Sequence, residues 1–246
     1  MPSLNNSAAV STEIASVARR YRRVERTASW LVALLVVAVV LTAIRTLDLF
    51  PAALVAVGIV VLARIPLVTR NGHTRLITDS EPAAVVDAFR CGTPPILAFQ
   101  WAVADTIELG GEDVDAEESG SPATTRATYA FSYLFGLQSV SMTLEVRSLR
   151  REGDDRAATG GAGPATDADV VETLEVSATA GGRPWGTYRV TIRESDFGTV
   201  VDVDLTTDRR FDLRSVPQAL VAERYFDAIL SAQGYRVADR SVSWST

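Results

Sequence analysis

The sequence predicts a two-helix transmembrane hairpin followed by an α+β domain, in which an antiparallel sheet packs on one long C-terminal helix. Residues Ser29 to Val68 are almost uninterruptedly apolar, whereas from Leu76 onward apolar residues alternate with charges. Charge divides at the same place: residues 1–75 carry nine Arg against three acids, and residues 76–246 carry fifteen Arg against twenty-seven acids. The middle of the acidic part has a period of two, as half-buried strands do, and one helical stripe follows near the C-terminus. The chain therefore divides into a basic amphipathic N-terminal segment (1–28), two membrane helices within 29–68 (about 30–47 and 50–68), and an acidic domain (72–246).

In the first segment Ile14, Val17, Tyr21 and Val24 recur at helical spacing, with Arg19, Arg20, Arg22, Arg23 and Arg26 on the remaining faces. Such a helix can lie on an anionic leaflet, and the same arginines form a topogenic cluster. From Trp30 to Leu47 there are eighteen residues with Arg45 the only charge. As a helix they span about 27 Å, close to the roughly 30 Å of a hydrocarbon core. The second run, Phe50 to Val68, contains Arg64 near enough to its end to snorkel, and Pro66 in its last turn. Arg64, Arg70 and Arg75 mark its exit, while the intervening turn holds only Arg45 and Asp48. The positive-inside rule then places both termini and the acidic domain in the cytoplasm, in a multi-pass protein of the cell membrane. A cleaved signal peptide, suggested by Arg19-Arg20, is the rival reading; the long apolar run and the second span directly after it oppose that.

In the domain, Thr74 to Thr78 reads as a strand, and Ser80 as the N-cap of a helix with Pro82 in its first turn and Val85, Val86 and Phe89 on its apolar face. An extended run from Ile96 to Leu109 is expected next, then a mobile acidic loop at about 110–125. Tyr129, Phe131, Tyr133 and Phe135 share one strand face, and Val140, Met142, Leu144 and Val146 another, with Gly136 where the hairpin turns. A second mobile linker spans about 151–167. Three inward-facing sets follow: Leu174, Val176 and Ala178; Tyr188, Val190 and Ile192; Val201, Val203 and Leu205. Turns at Gly181-Gly182 and Asp196 to Gly198 join them. A helix from about Ser215 to Gln233, striped by Val221, Tyr225, Ile229 and Ala232, stops at Gly234, and a last strand runs from Val237 to Trp244.

This order resembles the START-like or Bet v 1-like (SRPBCC) helix-grip superfamily. The resemblance rests on Ser80-Glu81-Pro82-Ala83-Ala84-Val85, on Phe197-Gly198-Thr199-Val200-Val201 and on the Ser215 to Gln233 helix, and it covers about the last 170 residues. It implies a sheet that wraps the long helix and encloses a cavity for a hydrophobic ligand. The chain departs from that pattern in lacking a second short helix after Cys91 and in adding a strand after the final helix.

Every basic side chain is Arg and Lys is absent, a composition that resembles haloarchaeal proteins and implies dependence on concentrated salt. So acidic a domain repels phosphate, which excludes nucleic acid as a partner. Cys91 is the only cysteine, so there is no internal disulfide and no multi-cysteine zinc site; it is expected to be buried. His73 is the only histidine, and a Cys91–His73 pair has no orienting motif beside it. G-x-S-x-G, P-loop and H-E-x-x-H patterns are missing. Asp113, Asp115, Glu117 and Glu118 resemble a calcium loop, but Glu118 stands where the turn needs glycine. No catalytic residue, metal or cofactor is therefore expected, and an enzyme ranks last among the readings.

The candidate ligand-binding residues are Tyr129, Phe131, Tyr133, Phe135 and Tyr225; packing of the same aromatics in a plain sheet-to-helix core is the competing reading. The function expected is a membrane-anchored cytoplasmic binding module for a lipid or other hydrophobic small molecule. The alternative is a non-catalytic interaction or assembly subunit that docks to a protein partner of a membrane complex. A cavity of several hundred Å3 between sheet and final helix favours the first, and a filled core the second.

Overall fold

The computed structural model describes residues 4–110, 124–133, 138–149, 170–196, 198–207, 210–212 and 216–245. Forty-three residues without a glycine or proline form one unbroken helix, α1 (Leu4–Thr46). Its C-terminal half is long and apolar enough to cross a membrane. A second apolar helix, α2 (Leu49–Arg64), has 16 residues and ends earlier than expected. Pro66 is the reason: it holds Ile65 in extended backbone (φ −68, ψ 124), and Pro66 to Val68 begin a strand instead. Trp30, Leu34, Leu35, Leu49 and Phe50 are all at least 60% exposed, a belt that no other described part of the protein covers.

Nine strands form one antiparallel sheet: β1 (Pro66–Thr78), β2 (Thr106–Gly110), β3 (Thr124–Tyr133), β4 (Gln138–Ser148), β5 (Val170–Ala180), β6 (Arg183–Ser195), β7 (Gly198–Thr206), β8 (Phe211–Asp212) and β9 (Arg236–Ser245). The order is β2-β3-β4-β5-β6-β7-β1, and β9 and the two-residue β8 share the far side of β1. Against the inner face pack α3 (Pro82–Arg90), a 3-10 turn (Pro95–Leu97), α4 (Ala98–Trp101) and α5 (Val216–Ser231). The period-two readings hold: Met142, Leu144, Val146, Leu174, Val176, Ala178, Val190, Ile192, Val201 and Val203 are all buried. Gly181 (φ 56) and Gly182 (φ 73) make the β5–β6 turn, and Gly198 (φ 116) starts β7.

Several expectations are corrected. The final helix is short, at 16 residues, and the long helix of the protein is α1. Glu81, not Ser80, stands at the N-cap of α3; the Ser80 hydroxyl accepts from Thr78 Oγ1 and its carbonyl accepts from Thr199 Oγ1. The run from Ile96 is helical before it is extended, since Ile96, Leu97, Ala98 and Phe99 bury contiguously and Trp101 Nε1 donates to Pro94 O. Its α4 is a short helix after Cys91, which the sequence was expected to lack. Cys91 is exposed, not buried, because α3 ends there; its thiol donates to Ala88 O. The acidic loop from 111 to 123 with its calcium-like residues, the 151–167 linker, Phe135, Gly136 and Phe197 lie outside the described residues.

The basic N-terminal segment behaves differently from a surface helix. Ile14, Val17 and Tyr21 pack against the domain rather than face outward, the Tyr21 ring lying tilted 4.7 Å from Phe99 and edge-on 6.4 Å from Tyr225. Val24, one turn on, is exposed. Arg22 donates to Val103 O, while Arg19, Arg20, Arg23 and Arg26 remain exposed.

Candidate functional site

The inner faces of four strands meet α5, α4 and α1 around a cavity of about 210 Å3. Alternation decides which side chains line it. Along β1 these are Arg70, Gly72 and Thr74, and across the register Arg70 pairs with Trp244, Gly72 with Val242 and Thr74 with Arg240 on β9. On the other side Gly72 pairs with Leu205 and Thr74 with Val203 of β7, and Leu205 pairs with Tyr188 of β6. The opposite wall consists of Tyr21 of α1, Phe99 and Gln100 of α4, and Ala219, Ala222 and Phe226 of α5. The space exists because Gly72, Thr74, Ala219 and Ala222 are small where a filled core would carry larger apolar residues.

The polar part of the wall is a three-residue ion network. Arg240 Nη2 donates to Glu223 Oε2 at 2.8 Å and its Nε donates to Oε1, a bidentate pair, while Nη1 donates to Thr74 Oγ1 at 3.4 Å. Its guanidinium also lies 3.3 Å over the Phe226 ring. Arg70 Nη2 donates to Glu223 Oε2 at 2.8 Å, and its guanidinium sits 5.5 Å from the Trp244 ring. Burial pushes the Glu223 carboxyl up, but the hydrogen bond and charge of Arg240, with Arg70 behind it, outweigh that and hold it below the usual range. Glu223 is therefore ionised at neutral pH.

Two polar atoms of the lining residues are buried without any hydrogen-bond partner, Arg70 Nε and Gln100 Oε1. An unmade bond of this kind costs about 1–3 kcal/mol. The Tyr188 hydroxyl is pushed up to about 12 by burial, against the pull of Arg70 and Arg240, and remains a protonated donor. The cavity thus combines aromatic walls with a donor-rich corner.

No family model and no curated protein matches the chain. Among solved structures it is similar to TTHA0849 from Thermus thermophilus (12% identity, 66% of this chain and 92% of that one, TM-score 0.34). It is also similar to CV1439 from Chromobacterium violaceum (10% identity, 65% and 96%, TM-score 0.34). An uncharacterised protein from Rhizobium leguminosarum is similar as well (9% identity, 66% and 97%, TM-score 0.32). At such identities and TM-scores these likenesses carry no weight for function.

The residues expected from sequence are placed differently from the cavity. Tyr129 is fully buried, with its hydroxyl donating to Gly92 O, and Phe131 packs against the core; neither lines the cavity. Tyr225 reaches the site only through its contact with Tyr21. Of Tyr133 only the backbone is described, as the end of β3. His73 and Cys91 are not brought together: His73 Nδ1 lies 2.8 Å from Asp204 Oδ1 on the sheet, and Cys91 ends α3. Among the described residues no cluster of three or more His, Cys, Asp or Glu side chains could hold a metal.

Arg70, Arg240, Glu223, Trp185, Tyr188 and Gln100 were missed as site residues. One signal was readable: β1 and β9 put Arg, Gly and Thr at positions whose alternation points inward, where a filled core would have aliphatic residues.

Proposed function

We propose that the protein is a membrane-anchored binding module whose domain holds a hydrophobic small molecule at the cytoplasmic face of the cell membrane. The cavity of about 210 Å3 between sheet and α5 carries this reading, because six aromatic residues line it beside the polar corner of Arg70 and Arg240. It is smaller than the several hundred Å3 typical of drug-sized ligands, which suits a short chain or part of a lipid. The short helix after Cys91 and the sheet laid against α5 support the START-like resemblance.

The contact between α1 and α5 supports two membrane passes. Ile14 and Tyr21 precede the apolar half of α1, yet they belong to the domain's core. A single crossing would leave them on opposite sides of the bilayer, which supports a return pass through α2. At 16 residues it spans about 24 Å, enough if the bilayer thins locally. The exposed Arg19, Arg20, Arg23 and Arg26 then lie on the cytoplasmic side.

Cys91 offers a direct topology test, being the only cysteine and exposed. A membrane-impermeant maleimide should label it in inside-out vesicles and spare it in intact cells; the reverse would put the domain outside. For the ligand, native mass spectrometry with organic extraction of the full detergent-solubilised chain should reveal a stoichiometric hydrophobic adduct. Clean apoprotein would favour the docking-subunit reading, whose support is the edge strand β2, with Ile107 and Leu109 exposed on the face they share with Tyr129 and Ala127.

A further inference from the structure

The cavity's position and its charge together narrow the ligand. β1 leaves the cap of α2 at Ile65 and reaches Arg70 five residues on, at most about 17 Å of extended chain. Trp244, opposite Arg70 in the register, lines the cavity and is 41% exposed. The cavity therefore lies at the end of the sheet from which the membrane helices depart.

In the ion network two guanidinium groups share one carboxylate, so one positive charge is left over. Arg240 has all three guanidinium nitrogens engaged, Nε and Nη2 on Glu223 and Nη1 on Thr74. Arg70 is not. It gives Nη2 to Glu223, and its buried Nε has no acceptor. A lining guanidinium that carries an uncompensated charge is suited to an oxyanion. The apolar walls beyond it, Phe99, Trp185 and Phe226, suit a hydrocarbon or ring rather than a second charge.

Resting on the reading of this cavity as a ligand site, we propose that it takes an amphiphile with one acidic group, a carboxylate or phosphate held by Arg70, its apolar part lying among Phe99, Trp185 and Phe226. The same chemistry is offered by an acidic bilayer lipid and by a water-soluble amphiphilic acid.

The test uses the full chain in nanodiscs of neutral lipid, with equilibrium dialysis against octanoate and against octanol, and empty nanodiscs subtracted. Octanoate should bind at least about tenfold more tightly than octanol, as a charge-assisted hydrogen bond implies. Arg70→Gln should abolish that preference, and Arg70→Lys should fall between. The wild-type comparison needs no variant, so misfolding of either one does not blunt it. Octanol bound as well as octanoate would overturn the acid proposal while leaving a hydrophobic site in place.

Native mass spectrometry from nanodiscs doped with phosphatidic acid separates the two sources. One lipid retained by the wild type and lost in Arg70→Gln supports a bilayer source; octanoate bound without lipid retention supports a soluble acid. If neither octanoate, octanol nor phosphatidic acid is held, the ligand-site reading itself fails, and the proposal with it.

Discussion

Asp202 is the most heavily partnered carboxylate on the sheet's outer face among the described residues. It is buried, accepts from Arg75 Nε at 2.7 Å and from Arg193 Nη1, and has His73 Nε2 3.8 Å away. Burial raises its carboxyl, but the hydrogen bond and charge of Arg75, aided by Arg193, bring it below its ordinary 3.8. A carboxyl lowered on folding stabilises above its unfolded value, and that contribution disappears as pH falls through the folded one. Chemical denaturation of the full chain in detergent should thus show stability flat above about pH 5 and falling below about pH 4. Asp202→Asn should cost about 2 kcal/mol at pH 7 and shrink the acid loss; an unchanged acid limb would mean other groups set it. Glycine at 198 is a second sensitive residue. At φ 116, a Cβ there would sit 2.4 Å from Thr78 O, whereas at Gly181 it would meet open space. Gly198→Ala should therefore cost several kcal/mol and Gly181→Ala about 1 kcal/mol in the same assay, and equal costs would contradict the geometry.

Tyr21 ties α1 to α4 and α5, being 6% exposed between Phe99 and Tyr225. Tyr21→Ala should destabilise the domain by about 3 kcal/mol and open one wall of the cavity, seen as a lower Tm and faster proteolysis within residues 98–110. Elements with one buried and one solvated face were legible in the sequence, because half-burial writes a period: Met142, Leu144 and Val146, or Leu174, Val176 and Ala178. The stretch from Ile96 to Phe99 was not legible, since four consecutive buried residues carry no period and a helix cannot be told from a strand. The stripe Ile14, Val17 and Tyr21 told that a face is covered, but not that protein rather than lipid covers it. Arg70 and Arg240 escaped for a similar reason. They are far apart in sequence, and only the register of β1 against β9 and one turn of α5 bring them to the same carboxylate.

Over the whole molecule, charge and apolar surface are segregated: the N-terminal third is basic, and the rest carries nearly twice as many acids as arginines. Self-repulsion of such a domain is relieved by salt, the Debye length shrinking to about 3 Å at 1 M. Across a KCl series the full chain in detergent should lose near-ultraviolet aromatic signal at low salt, while the far-ultraviolet signal of α1 and α2 persists. A native near-ultraviolet spectrum in dilute buffer would contradict this. The excised domain is a poor substitute, since Ile14 and Tyr21 are part of its core. The same long helix has a mechanical meaning. Lacking glycine and proline from Leu4 to Thr46, α1 has no joint, so it moves as a lever. Any tilt of its apolar half would be carried to Tyr21, about 14 Å along the axis from Trp30. A change of tilt in the apolar half of α1 would therefore reach the cavity at Tyr21.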